Sequence, residues 1–384
     1  MTGDNVLIEY ITFRNFNFTG NGGAIRWNGN DGILRNCNFI NITTTERGSV
    51  FWVGDNGILS DSTFTGNLAN SGSGVYWAGF NGIINDCTFT NNNSTSAGGA
   101  IFWNGAKGTL TNSIFINNNA AGAGAGVAWI GTNGTLTNSS FNNNVATRGG
   151  AIFWSGANGI LTSSNFNSNT ATVDYGGAIS WYGDNGILTD STFTNNRAND
   201  GGAIYWNSAN GSLANSIFTN NTASRYGGGI CWWSGDNGII KGSTFINNTA
   251  DNDGGGVNWG AKNGNIIDSI FTDNTGRLGG GIILWGVNDT ITNSTFRDNN
   301  AKLDGGGAIH YSTVGYIVNC NFININWINN FKSNGIYGNT NLIINNGNGI
   351  VALRVNQGTL SGSSIVVLNN ETYYYPPNTN INFI

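Results

Sequence analysis

The sequence predicts an all-β chain wound as a parallel β-helix, and three observations predict it. One unit recurs along the chain: Gly98-Gly-Ala-Ile-Phe-Trp103, followed a dozen residues later by Phe115-Ile-Asn-Asn-Asn-Ala120. Gly-Gly-Ala-Ile returns at 22–25, 149–152, 176–179 and 201–204, and Phe-x-x-Asn-x-Ala at 64–69, 141–146, 193–198 and 245–250. Large apolar residues also fall into columns with a period of 25 to 27 residues. And no helix fits inside the unit, because no i, i+3, i+4, i+7 apolar pattern is present and Gly is too frequent for helix interiors.

Each element of the unit has a reading. Short apolar runs bounded by Gly, Asn and Asp are strands and turns, and three occur per repeat: Gly-Ala-Ile-x-Trp, Ile-Leu-x-x-Ser and x-Phe-x-x-Asn. Each can pair only with its own copy one repeat away, which makes parallel sheets, and about eight residues per strand-plus-turn leave no room for a helical crossover. The expectation is therefore three-strand coils of 25–27 residues, stacked about twelve high into a rod of roughly 58 Å at the usual strand spacing. A repeat array is one quasi-linear body whatever its length. The array is expected over 1–325, degenerate capping coils over 326–355, and a strand-rich tail, or the start of a following domain, over 356–384.

The columns set what should lie inside. The aromatic column reads Trp27, Trp52, Trp77, Trp103, Trp129, Trp154, Trp181, Trp206, Trp233, Trp259, Trp285 and Tyr311. It runs 12 residues ahead of the Phe column, a spacing that falls to 11 only in the last two repeats. Leu34, Leu59, Ile84, Leu110, Leu136, Leu161 and Leu188 form an aliphatic inward column. The Asn of Phe-x-x-Asn, constant over ten repeats, predicts a ladder of stacked amides. The Gly pair before the Trp strand suits a corner with positive φ or close backbone approach, and Asn-Gly at 56–57, 81–82, 158–159, 185–186 and 237–238 marks a second corner. Cys37, Cys87 and Cys320 stand where other repeats place Ser; neighbouring Cys in this column are too far apart for a disulfide, so buried free thiols are expected.

Composition excludes several function classes. Hydrophobic residues make up 39% of the chain, with 13 Trp and 21 Phe, too many for a disordered Gly- and Asn-rich chain. The formal net charge is −5 with no basic run, which argues against nucleic acid as a partner. No apolar stretch approaches the length of a membrane-spanning helix. Residues 3–13 align with Gly54–Phe64, so the chain is expected to open within a repeat as a piece of a longer protein, and the lack of a signal peptide bears little on location.

The pairing of Gly-Gly-Ala-Ile with Phe-x-x-Asn-x-Ala resembles the repeat of chlamydial polymorphic outer-membrane proteins. The Asn-Gly-Ile-Leu-Thr and Asn-Ser-x-Phe-x-Asn-Asn wording between the motifs is similar to adhesin-like surface proteins of methanogenic archaea. The resemblance spans roughly residues 3–325. It implies a right-handed parallel β-helix displayed on a cell surface, with adhesion as its role. The chain departs from it in carrying no anchoring or barrel segment, and in placing Trp where such repeats often carry Asn.

Catalysis is not expected. The single His, His310, reads as a surface residue. Asp55, Asp184 and Asp236 sit at turn corners, and Asp61, Asp86, Asp190 and Asp268 precede the Ser column, where Asp is explained by local backbone bonding. Calcium between Asp61 and Asp86 is a lesser alternative; no metal or cofactor is expected. A polysaccharide lyase or hydrolase would need at least two clustered acids beside an Arg or Lys.

Binding is the better-supported expectation. Adjacent strand residues face opposite ways, so with Trp inward the preceding column should face out, exposing Phe51, Tyr76, Phe102, Phe153, Tyr205 and Trp232. Flat rings along a rod suit sugar rings or another protein; the plainer alternative is cross-strand stacking that only stabilises the sheet. The variable corner before the Gly pair gathers Arg148, Asp174, Tyr175, Arg197, Arg225, Tyr226, Asp251 and Asp253, either as a partner surface or as a solvated edge. Sequons at Asn17, Asn41, Asn133 and Asn293 allow glycosylation. The expected function is an extracellular adhesin-like rod making multivalent contacts with glycans or surface proteins; the alternative is a purely structural stalk.

Overall fold

The computed structural model describes residues 1–302, 306–311, 315–318, 320–323, 331–332, 341–345, 364–368 and 371–375. They fall into two compact units, Met1–Thr192 with Asn196–Ala198, and Phe193–Asn195 with Asn199–Ile384. Among the described residues all regular structure is β, with no helix.

In the first unit one coil is Ile101–Trp103, Thr109–Thr111, Ile114–Ile116 and Asn119–Ala123. Each strand pairs in parallel with its copy in the coil before, placing Trp77 beside Trp103, Ile84 beside Leu110, Phe89 beside Phe115 and Ser94 beside Ala120. The coil therefore has four strands, not the expected three. The fourth is only two residues long in several coils, such as Leu68–Ala69 and Thr170–Ala171. Only its Ala faces inward, so no apolar run announces it.

Corners recur every five residues through the polar half of the coil. Lys107, Asn112 and Asn117 all take positive φ, as do Asn81, Asp86 and Asn91 one coil earlier. Asn and Asp adopt this conformation more readily than other non-glycine residues because the short polar side chain bonds locally. That is why the chain is so rich in Asn. In the Asn-Gly pairs it is the Asn that turns. The Gly that follows makes room for the core, since a Cβ at Gly108 would lie 2.3 Å from the Trp103 ring. The fourth corner belongs to the Gly pair, with Gly98 at φ 66°.

The core consists of stacked identical residues. In the first unit Trp27, Trp52, Trp77, Trp103, Trp129, Trp154 and Trp181 are fully buried, with ring centroids 4.4 to 5.3 Å apart. The Phe column stacks at 4.5 to 4.9 Å in this unit and at 4.7 to 4.9 Å in the second. The indole N–H of Trp27, Trp52, Trp77, Trp103, Trp129 and Trp259 finds no acceptor. An unmet donor costs about 1–3 kcal/mol, whereas burying an indole gains roughly 4–6 kcal/mol from the area it removes from water, so packing prevails.

The predicted amide ladder is present. Asn144 Nδ2 donates to Asn169 Oδ1 at 3.0 Å and to the Phe115 carbonyl at 3.1 Å, while its Oδ1 accepts from the Asn118 amide N–H and Nδ2 at 3.0 Å each. The same pattern runs from Asn67 to Asn196 in the first unit and from Asn221 to Asn299 in the second. A parallel Ser column caps the backbone, as when the Ser113 N–H donates to Ser139 Oγ at 3.2 Å. Cys37, Cys87 and Cys320 are buried free thiols, joined by Cys231; burial pushes the Cys87 thiol up to about 12. His310 is buried, against the expectation of a surface place.

Most of 326–355 and 356–384 lies outside the described residues. Within them, Asn341–Asn345 pairs in parallel with Asn321–Ile323 and with Ser364–Leu368, and the latter pairs antiparallel with Glu371–Tyr375.

Asn144→Ala should lower unfolding free energy by about 3 kcal/mol, because several buried partners lose their bonds at once; urea denaturation measures this. Asp289 is buried, and desolvation raises its carboxyl from 3.8 to about 7 despite a bond from the Gly264 N–H. The unfolded chain ionises first, so this group's stabilising share is lost as pH rises from about 4 to about 7. Asp289→Asn should therefore match wild type in melting temperature at the acid end of that window. It should exceed wild type increasingly toward the neutral end, with no further gain above it.

Candidate functional site

With Trp inward, parity turns the preceding residue outward. In the first unit this column holds Arg26, Phe51, Tyr76, Phe102, Ala128, Phe153 and Ser180, paired in register. Tyr76 and Phe102 are half-buried and stacked at 4.8 Å. Phe51 is not exposed as expected; it is 6% accessible. The reason is the corner beside it: the Arg47 guanidinium lies 5.6 Å from the Phe51 ring and 4.7 Å from the Tyr76 ring, and Arg26 lies 5.7 Å from Phe51. Arg148 stands likewise 5.9 Å from the half-buried Phe153, whose ring tilts against Tyr182 at 5.6 Å. Burial raises the Tyr182 hydroxyl, and Arg148 opposes the shift. Column and corner, read separately in the sequence, thus form one surface in which cations cover aromatic rings.

Two expectations fail in the second unit. Tyr205 is 5% accessible, beside a Cys231 that senses the Arg225–Asp200 pair of the corner. Trp232 is not an outward ring at all. It pairs with Trp206 and Trp259 inside the core, fully buried, and Trp233 is the exposed one at 50%. Strand Ile230–Ser234 carries an irregularity between Trp206 and Asn207 of its partner, and this extra residue shifts the register by one. The exposure of Trp285 has a different origin, because its strand keeps regular register. Leu284 occupies the inner column, and Trp285 lies outside at 44%; Leu284 restores the 12-residue spacing to Phe296 that Trp285 broke. The spacing to the Phe column identifies Leu284 as inward but points to Trp233 in place of Trp232, because the extra residue lengthens that interval to 13.

The corner residues pair across coils. Arg148 meets Asp174 at 3.9 Å in the first unit, where Tyr175 is half-buried and Arg197 exposed. In the second, Arg225 meets Asp200 at 2.6 Å, Arg277 meets Asp253 at 3.2 Å, and Lys302 meets Asp251 at 3.4 Å. Asp200 and Asp253 are buried while Asp251 is exposed. Burial raises the Asp253 carboxyl, and Arg277 counters this. Tyr226 tilts against Trp233 at 6.1 Å, and His310 against Trp285 at 6.3 Å. Trp233, Trp285, Tyr226, Asn258 and the Asp253–Arg277 pair line a cleft of about 590 Å³, large enough for a small ligand. Asn258 and Tyr182 are lining or facing residues that the repeat pattern did not single out, whereas Trp233 and Trp285, expected in the inward column, lie outside it. Among the described residues no group of three His, Cys, Asp or Glu side chains converges as a metal site would require.

Comparison with known proteins bears on the fold. Residues 23–175 match the family model of the right-handed β-helix region. The fold is a right-handed parallel β-helix. Residues 190–205 and 215–231 match the Chlamydia polymorphic membrane protein repeat, in line with the resemblance of the motifs. No curated protein matches the chain. Among solved structures, an alginate lyase, AlyF-OU02, in complex with G6 is 12% identical with a TM-score of 0.51, the match covering 98% of this chain and 87% of that one. A PL6 alginate lyase complex with trisaccharide is 13% identical with a TM-score of 0.47, over 98% and 86%. At such identity the likeness concerns the fold alone. No helix among the described residues is long and apolar enough to cross a membrane.

The corner pairs should differ in weight. Arg225→Ala removes the cation that neutralises a buried carboxylate and should cost about 2 kcal/mol, whereas Arg148→Ala removes a long, solvated pair and should cost under about 0.5 kcal/mol. Thermal melts of the two variants against wild type provide the check.

Proposed function

We propose that this chain is a surface-displayed, adhesin-like β-helix that attaches to glycans or partner surface proteins through many weak contacts, and that it is not an enzyme. The observation that carries the reading is the repeated pairing of an outward aromatic ring with a corner arginine, Arg47 over Tyr76 and Phe51 and Arg148 beside Phe153. Amphipathic rings and guanidinium groups are the residue types that concentrate binding energy at interfaces. Sites repeated along the array also gain avidity without being individually strong. The β-helix and polymorphic-membrane-protein repeats support a place at the cell surface.

A second reading comes from the lyase fold likeness. It would need clustered acids, yet the cleft offers one carboxylate, Asp253, engaged by Arg277.

Beads coated with the full chain and passed over a glycan array and over cell-surface extracts provide the test. Retention on at least one surface is expected, falling about tenfold or more in the triple variant Arg47→Ser, Tyr76→Ser, Phe102→Ser. Retention on no surface would favour the structural stalk. Release of unsaturated oligosaccharides from alginate would establish the lyase reading instead.

A further inference from the structure

The cleft of the second unit holds a polar group that the fold does not use. Asn258 stands in the outward column, one residue before the inward Trp259, between Cys231 and Ile283 in the adjacent coils. It is 1% accessible, and neither its Oδ1 nor its Nδ2 has a hydrogen-bond partner. Its neighbours in the column are apolar, so packing does not call for an amide there. Elsewhere in this unit the core amides, such as Asn248 and Asn274, are bonded to their stack. A carboxamide left open on both edges, in the wall of a cleft, costs stability unless something enters to satisfy it.

The walls indicate what would fit. Because Trp232, Trp259 and Leu284 are in register, the next residues, Trp233, Gly260 and Trp285, follow one another up three coils. The two exposed indoles are thus two coil spacings apart, about 10 Å along the stack, and Gly260 leaves the position between them without a side chain. An intervening ring needs about 3.5–4 Å on each face, so a single ring has room there. At the corner end, Asp253 is buried and held by Arg277 through Nε at 3.3 Å and Nη2 at 3.4 Å. The pair is neutral overall, so it offers an acidic ligand no net positive charge to offset the cost of desolvating its carboxylate.

We propose that this cleft is a saccharide site for a neutral pyranose. The C–H faces of the sugar lie against Trp233 and Trp285, and two vicinal hydroxyls meet Asn258, one accepting from Nδ2 and the other donating to Oδ1. Arg277 keeps N–H groups free of Asp253 for a further hydroxyl. A uronic acid would bring a second carboxylate to Arg277, the cation lining the cleft, which Asp253 already neutralises. The inference rests on the glycan-binding reading above for the kind of partner, and adds the place, the sugar class and the residue that selects it.

Saturation-transfer NMR on the full chain tests this with methyl α-mannopyranoside, methyl β-glucopyranoside, methyl α-galacturonoside and adenosine. At least one neutral glycoside should bind, with the uronoside about tenfold weaker or more. Trp233→Ala, Trp285→Ala and Asn258→Leu should each weaken binding about tenfold or more. The melting temperature of Asn258→Leu should equal or exceed that of wild type, which a purely structural Asn would not allow. Failure of both neutral glycosides to bind, or wild-type binding by Asn258→Leu or Trp285→Ala, overturns the proposal. Adenosine binding with the same sensitivity to these variants, in place of the sugars, also overturns it. Bead retention that survives loss of the cleft leaves the attachment reading standing without this site; glycoside binding without bead retention does the reverse.

Discussion

Each inward residue in a stack of parallel coils meets its own copy above and below, and the buried Asn column shows what that constraint demands. A parallel strand cannot return through a hairpin, so every coil must turn several corners, and the backbone just past the corner after the Phe strand, at Asn118, is buried. Its peptide groups have no water to meet. The side chain of Asn144 stands in for water, taking the Asn118 N–H, donating to the Phe115 carbonyl and passing a bond to the next amide. A longer or shorter residue would break the chain of bonds in both directions. The core columns are uniform because each position is fitted to two copies of itself.

The outward positions are free of that constraint, and function is found where the repetition relaxes. In the first unit arginines of the corner reach over rings of the column, as Arg47 does over Tyr76. In the second, a one-residue irregularity turns Trp233 outward, and Leu284 in the inner column leaves Trp285 outside. Both changes leave the inner stack filled. The β-helix therefore varies its surface coil by coil without disturbing the core.

Much of this could be read from the residues, because a column needs only identity and spacing to be seen. The inward Trp, Phe and Leu positions, the amide ladder and the free thiols all follow from that. The fourth strand was hidden, since Leu68–Ala69 and its copies are too short and too polar to signal a strand. The burial of Phe51 and Tyr205 is not legible in the sequence, because parity gives the direction of a side chain but not what covers it; for Phe51 the cover is Arg47, from the corner. The spacing to Phe245 favours Trp233 over Trp232 as the inward ring, and the extra residue that reverses this leaves no mark in the sequence. Asn258 gave no signal at all: an Asn in an Asn-rich chain stands out only when its missing partners are seen.

The stacking also determines how such a structure comes apart. Ladder bonds such as Asn92–Asn118 and ring contacts such as Trp103–Trp129 join only neighbouring coils, so cohesion is a sum of nearest-neighbour terms. An inner coil is held on two sides and an end coil on one. Loss of order therefore advances coil by coil from an open end, like a zipper, and the length of the array tunes durability without any change to an individual repeat.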